Sequence, residues 1–94
     1  MQPDRTLNFF LQNALRRLDL GEVADEMRIE RVYRQLAGEL ISRLTMSVQF
    51  NHGTLYLRLS SAALRHEMMH RREGLRQRIN DELGSETIKD IVVR

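Results

Sequence analysis

The sequence predicts a small single-domain α+β fold, ordered α-α-β-β-α-β, with a three-stranded sheet covered on one face by helices. Three observations carry this. The hydrophobic period is helical over the first half, switches to two at Met46, and turns helical again after Ser61. The tip Asn51-His52-Gly53 separates two alternating runs, which marks a β-hairpin. A β-branched run, Ile88 with Ile91-Val92-Val93, closes the chain as a third strand. The helices must shield the apolar sheet face, because nothing else in the chain can.

The spacing predicts a first helix over about 5–18. Leu7, Phe10, Leu11, Ala14, Leu15 and Leu18 fall on one face, and Asp4 or Thr6 can cap its start. Phe9 falls opposite, with Arg16 to one side. Both are candidate partner-binding residues, against the plain alternative that Phe9 folds under a loop. Asp19-Leu20-Gly21 breaks the pattern. A second helical stretch, one helix or two, covers about 22–43 with Ile29, Val32, Tyr33, Leu36, Leu40 and Leu44 as its apolar members. Gly38 lies inside it, where glycine lowers helix propensity by about 1 kcal/mol against alanine.

Strands follow over 45–51 and 54–60. Met46, Val48 and Phe50 share one apolar face with Leu55, Leu57 and Leu59; Ser47, Gln49, Tyr56 and Arg58 form the polar face. Ser60 or Ser61 caps the next helix, 62–83, and Gly84 stops it. Its core stripe is Leu64, Met68, Leu75, Ile79 and Leu83. The last strand is expected over 87–94.

At 94 residues the chain has room for one modest core and no second lobe to form a cleft. With 41% hydrophobic and 30% charged residues it balances as a globular protein, neither disordered nor membrane-like. Without cysteine there is no disulfide scaffold and no thiolate metal site. The opening Met1-Gln2-Pro3-Asp4-Arg5 has no apolar core of a signal peptide behind it, and no run approaches a membrane span. The expected location is the cytoplasm.

A net charge of +2 gives little long-range steering toward nucleic acid. Lys89 is the only lysine, so fourteen of the fifteen basic residues are arginine. Arginine forks suit phosphates and stack on bases; a GC-rich genome gives the same bias. Arg65, Arg72 and Arg76 fall on one flank of the last helix, and Arg58 or the Lys89/Arg94 strand can extend that edge. With Tyr56 to stack on a base, these are the candidate nucleic-acid-binding residues. The plain alternative is that the arginines pair with Glu73, Glu82 and Asp90 in solvent.

His66-Glu67-Met68-Met69-His70 is a literal H-E-x-x-H. A zinc peptidase also needs a third ligand and a substrate cleft, and both histidines should face solvent, opposite the apolar stripe. The motif is read as fortuitous, with any zinc or nickel held there adventitious. No nucleophile elbow, P-loop or dinucleotide fingerprint is present. The expectation is a non-enzymatic protein with no cofactor.

Four stretches carry a family resemblance: Tyr33-Arg34-Gln35-Leu36-Ala37-Gly38; Gly53 to Ser61; Leu64-Arg65-His66-Glu67-Met68; and Ile79-Asn80, Leu83-Gly84 and Ile88-Lys89-Asp90-Ile91. In order and spacing they resemble the DciA-like family, a bacterial domain of unknown function (DUF), over nearly the whole chain. The resemblance implies a KH-like domain similar to the N-terminal domain of the initiator DnaA. It further implies a loader of the replicative helicase that binds single-stranded DNA. Glu67-Met68 then occupies the family's "e-L" position and needs no zinc to explain it. Family members usually carry tryptophan at the positions of Tyr33 and Leu64, so any partner contact made by those tryptophans is in question here. Longer members carry a basic extension absent from this sequence, and DNA affinity that depends on it is expected to be lost. The G-x-x-G loop of a KH clamp is also absent. The expected function is a replication adaptor contacting the replicative helicase and single-stranded DNA. The alternative is a protein–protein module, homodimeric in one version, with no nucleic-acid role.

Overall fold

The computed structural model describes residues 20–94, with side chains from residue 24 onward. The helix expected over 5–18, with Phe9 and Arg16, lies outside the described residues. Helix α1 (Leu20–Leu44) leads into strands β1 (Thr45–Asn51) and β2 (Thr54–Leu59); helix α2 (Ala62–Leu83) then connects to β3 (Asp90–Val93). The described fold is therefore α+β, two helices on a three-stranded sheet. Strand β2 is central, antiparallel to β1 and parallel to β3, so α2 is the crossover of a β-α-β unit.

Burial follows one side of every strand. Val48 and Phe50, Leu55, Leu57 and Leu59, and Ile91 are buried, and Ile29, Tyr33, Met68, Ile79 and Leu83 of the helices close over them. Ile88, just ahead of β3, joins the same core. The opposite face of the sheet carries Ser47, Gln49, Tyr56, Arg58 and Val92 and has no described helix against it.

Helix α1 is broken at Gly38, whose φ of 86° and ψ of 174° belong to a region open essentially to glycine alone. The break resets the helical phase. Leu40, expected on the apolar stripe, is therefore 69% exposed, while Ile41 and Leu44 are half-buried. Arg34 clamps the two parts, donating from Nη1 to the Ser42 carbonyl at 2.9 Å and to the Ser42 hydroxyl at 2.8 Å. Tyr33, fully buried, meets Thr45 Oγ1 at 2.8 Å. The Thr45 hydroxyl donates its proton to the Ile41 carbonyl at 2.8 Å, so Tyr33 is the donor to Thr45. Burial pushes the Tyr33 hydroxyl above its ordinary pKa, with Thr45 and the Arg34 charge pulling weakly the other way.

Met46 also departs from expectation. The pairing slips between Thr45 and Ser47, a bulge that leaves one extra residue on β1. Thr45 takes the inward position and Met46 turns out, 61% exposed. At the hairpin tip His52 and Gly53 both have positive φ, 48° and 81°, the signature of a two-residue type I′ turn. A Cβ on Gly53 would stand 3.1 Å from Lys89 Cγ, and the Gly53 carbonyl accepts from the amides of Lys89 and Asp90 at 2.8 and 3.3 Å. The tip is thus tied to the start of β3. On the far side of β1, the Phe50 amide donates to Glu26 Oε2 of α1 at 2.8 Å.

Ser61 caps α2, its hydroxyl accepting from the Leu64 amide at 3.2 Å. Gly84 ends it in the left-handed conformation, its amide reaching the Asn80 and Asp81 carbonyls. Arg28 of α1 donates to the Leu83 carbonyl at 2.9 Å and joins the two helices there. The last strand is shorter than the 87–94 expected. Ile88 lies outside it because its backbone is taken by a side chain: its amide donates to Asn80 Oδ1 and its carbonyl accepts from Asn80 Nδ2, both at 2.9 Å.

Candidate nucleic-acid interface

Tyr56 lies near the middle of the uncovered sheet face, paired with Gln49 on β1 and Val92 on β3. Side chains two apart on a strand share a face about 7 Å apart, which sets Arg58 next to it. Arg94, just past β3, returns to the same face with its guanidinium carbon 4.9 Å from the Tyr56 ring centroid, a cation–π contact. The chain holds Arg94 there by backbone: its amide donates to the Leu57 carbonyl at 2.8 Å, and its carbonyl accepts from the Leu59 amide at 2.9 Å. Two guanidinium groups and an aromatic ring therefore share one open surface. One ring face is already taken, so a base stacking there must displace Arg94.

Arg65 reaches the same end of the sheet from α2, donating from Nη1 to the Leu59 carbonyl at 2.8 Å. Leu59 thus joins Arg65 through its carbonyl and Arg94 through its amide. Arg72 is exposed on α2. Arg76 sits further along, against the lead into β3, and is heavily engaged. It chelates Glu73, approaches Glu86 Oε2 at 3.3 Å, and donates to the Ile88 carbonyl at 3.2 Å, with its side chain 17% exposed. That bonding lowers the Glu73 pKa and raises the Arg76 pKa. Lys89 stands at the hairpin-tip end, packed over Gly53. The single edge expected from Arg65, Arg72 and Arg76 is therefore split by bonding: Arg65 and Arg76 hold backbone carbonyls, and Arg72 projects.

The H-E-x-x-H pair behaves differently from a peptidase centre. Glu67 turns to Arg71, 2.9 Å away, and the two histidines are exposed. Among the described residues no group of three His, Cys, Asp or Glu side chains is placed to hold a metal ion.

Two features escape a reading of the sequence. Asn80 is 2% exposed and serves as a side-chain clamp; its only signal is its place after Ile79 in the resemblance. An apolar groove of about 510 Å³ runs between α1 and α2, floored by Leu36, Ile41, Met68 and Leu75 and bordered by Arg71 and Arg78. It opens where Gly38 breaks α1, which no periodicity could reveal. No described helix is long and apolar enough to cross a membrane.

A family model described as "Dna[CI] antecedent, DciA" matches residues 6–93. Comparison with curated proteins and with solved structures finds no match.

Proposed function

Since the chain belongs to the DciA family, which is associated with helicase loading in replication, we propose that it is a non-enzymatic adaptor of the bacterial cytoplasm that contacts the replicative helicase and single-stranded DNA. The observation that carries the DNA half of this reading is Arg94 over the Tyr56 ring, with Arg58 beside it on the open sheet face. Such a face offers forks for the phosphate backbone and a ring for bases, a combination that binds single strands with little sequence preference. Arg65 and Arg72 extend the positive charge onto α2; Arg76 and Lys89 support the fold at the other end of the sheet.

The test is fluorescence anisotropy of a labelled single-stranded oligonucleotide across a salt series. Log affinity should fall with log salt. Arg58→Ala plus Arg94→Ala should weaken binding and flatten the slope by about 0.7 for each phosphate that is no longer neutralised. Flat anisotropy at low salt removes the DNA half. A pull-down with the replicative helicase tests the other half separately.

A second reading rests on the apolar groove between α1 and α2. In it the chain is a protein-interaction module, as an adaptor or a homodimer, with no nucleic-acid role. Charge reversal at the rim, Arg78→Glu, should then impair helicase capture or self-association while the Arg58 and Arg94 variants leave both intact.

A further inference from the structure

His66 and His70 stand one helical turn apart on the exposed side of α2. Their Nε2 atoms lie 3.3 Å apart, with ring planes at 82° and centroids 4.7 Å apart. Two imidazole nitrogens, each about 2.0–2.1 Å from a tetrahedral zinc ion, are separated by roughly 3.3–3.4 Å. A cis pair on an octahedral ion at that bond length is closer, roughly 2.8–3.0 Å. The observed spacing is the tetrahedral one. With one proton on Nε2 the same contact is a hydrogen bond between the rings; metal binding requires both ring protons on Nδ1, which leaves the two Nε2 lone pairs for one ion.

We propose that His66 and His70 form a two-histidine site for a divalent first-row metal ion, with zinc the ion its spacing fits. Glu67, the residue a peptidase would use as base, is held instead by Arg71 at 2.9 Å. Among the described residues no third donor completes the set. The chain therefore supplies two of four coordination positions and leaves two for water or for a donor from a second molecule. A site of that kind links or braces, with Glu67 paired to Arg71 rather than aimed at a metal-bound water as a base. The DNA-binding face of the preceding section does not use these histidines, so this site stands or fails independently of it; His70 does line the groove of the second reading, whose test is the Arg78 variant rather than metal uptake.

The experiment is calorimetric titration of the untagged full chain with zinc chloride in a non-chelating buffer, alongside His66→Ala, His70→Ala and Glu67→Gln. Because all three side chains are exposed, the metal-free variants should keep the parent's circular dichroism spectrum and Tm. One ion per chain is expected for the parent and for Glu67→Gln, and loss of that binding for each histidine variant. Zinc should raise the Tm of the parent and leave that of both histidine variants unmoved. Undiminished binding in either histidine variant overturns the proposal, as does a parent that takes up no ion at millimolar zinc.

Discussion

Asn80 and Ile88 bond to each other twice: the Asn80 amide group gives one hydrogen to the Ile88 carbonyl and takes one from the Ile88 amide, both at 2.9 Å. The pair imitates one rung of a ladder with a side chain in place of a strand. It fixes the loop after α2 and aims the chain into β3. Asn80→Ala should cost about 1–3 kcal/mol, because the Ile88 amide loses its partner while the Ile88 carbonyl keeps only Arg76 Nη1. Asn80→Asp should cost at least as much, since it sets a carboxylate oxygen against the Ile88 carbonyl. Urea unfolding of the two variants checks both values.

The Tyr33–Thr45 bond crosses the break in α1 and should matter for pH as well as for stability. Tyr33→Phe should lose about 1 kcal/mol at neutral pH, the net worth of one hydrogen bond. Burial raises the folded-state pKa of Tyr33, so its contribution is complete below the ordinary tyrosine value near ~10. As pH rises beyond that, the unfolded chain ionises first and stability falls until the raised folded value is passed. Thermal melts between neutral and alkaline pH should show this loss in the parent and less of it in Tyr33→Phe.

At Gly38 nothing stands within 4 Å of the point a Cβ would occupy, so space does not forbid a side chain. The backbone does. Gly38→Ala should destabilise by about 1–3 kcal/mol through φ/ψ strain alone, unless α1 straightens and carries Leu40 inward. Helix content by circular dichroism, read with the Tm, distinguishes strain from straightening.

The arginines should divide by what they hold. Arg76→Ala should lower the Tm, since it releases Glu73, Glu86 and the Ile88 carbonyl together. The Arg76–Glu73 pair weakens in acid, because Glu73 has a lowered folded pKa and its contribution is lost as pH falls through that value. Arg58→Ala and Arg72→Ala should leave the Tm within about 2–4 °C of the parent, the usual outcome at exposed positions.

Much of this fold is written in local pattern. The alternation around Asn51-His52-Gly53 and the Ser61 and Gly84 caps place β1, β2 and α2 to within a residue of where the structure has them. The departures come from long-range bonds and backbone breaks. Met46 turns out because one extra residue enters β1, and Leu40 turns out because Gly38 resets the helix. β3 starts late because Asn80 takes the Ile88 backbone. The site is legible as a set of residue types and only partly as a place. Alternation puts Tyr56 and Arg58 on the polar face. That Arg65 and Arg76 are spent on the Leu59 and Ile88 carbonyls depends on how α2 lies over the sheet, which the sequence pattern does not encode.

Glu26 has a bearing on how the molecule behaves in a crowd. Its carboxylate occupies the outward amide of Phe50, a donor that another chain's backbone could otherwise recruit to lengthen the sheet. A single acidic side chain from the neighbouring helix thereby discourages recruitment of further copies into fibrils. Its removal should show first as a loss of colloidal stability at high concentration, before any change in the melting curve of the dilute protein.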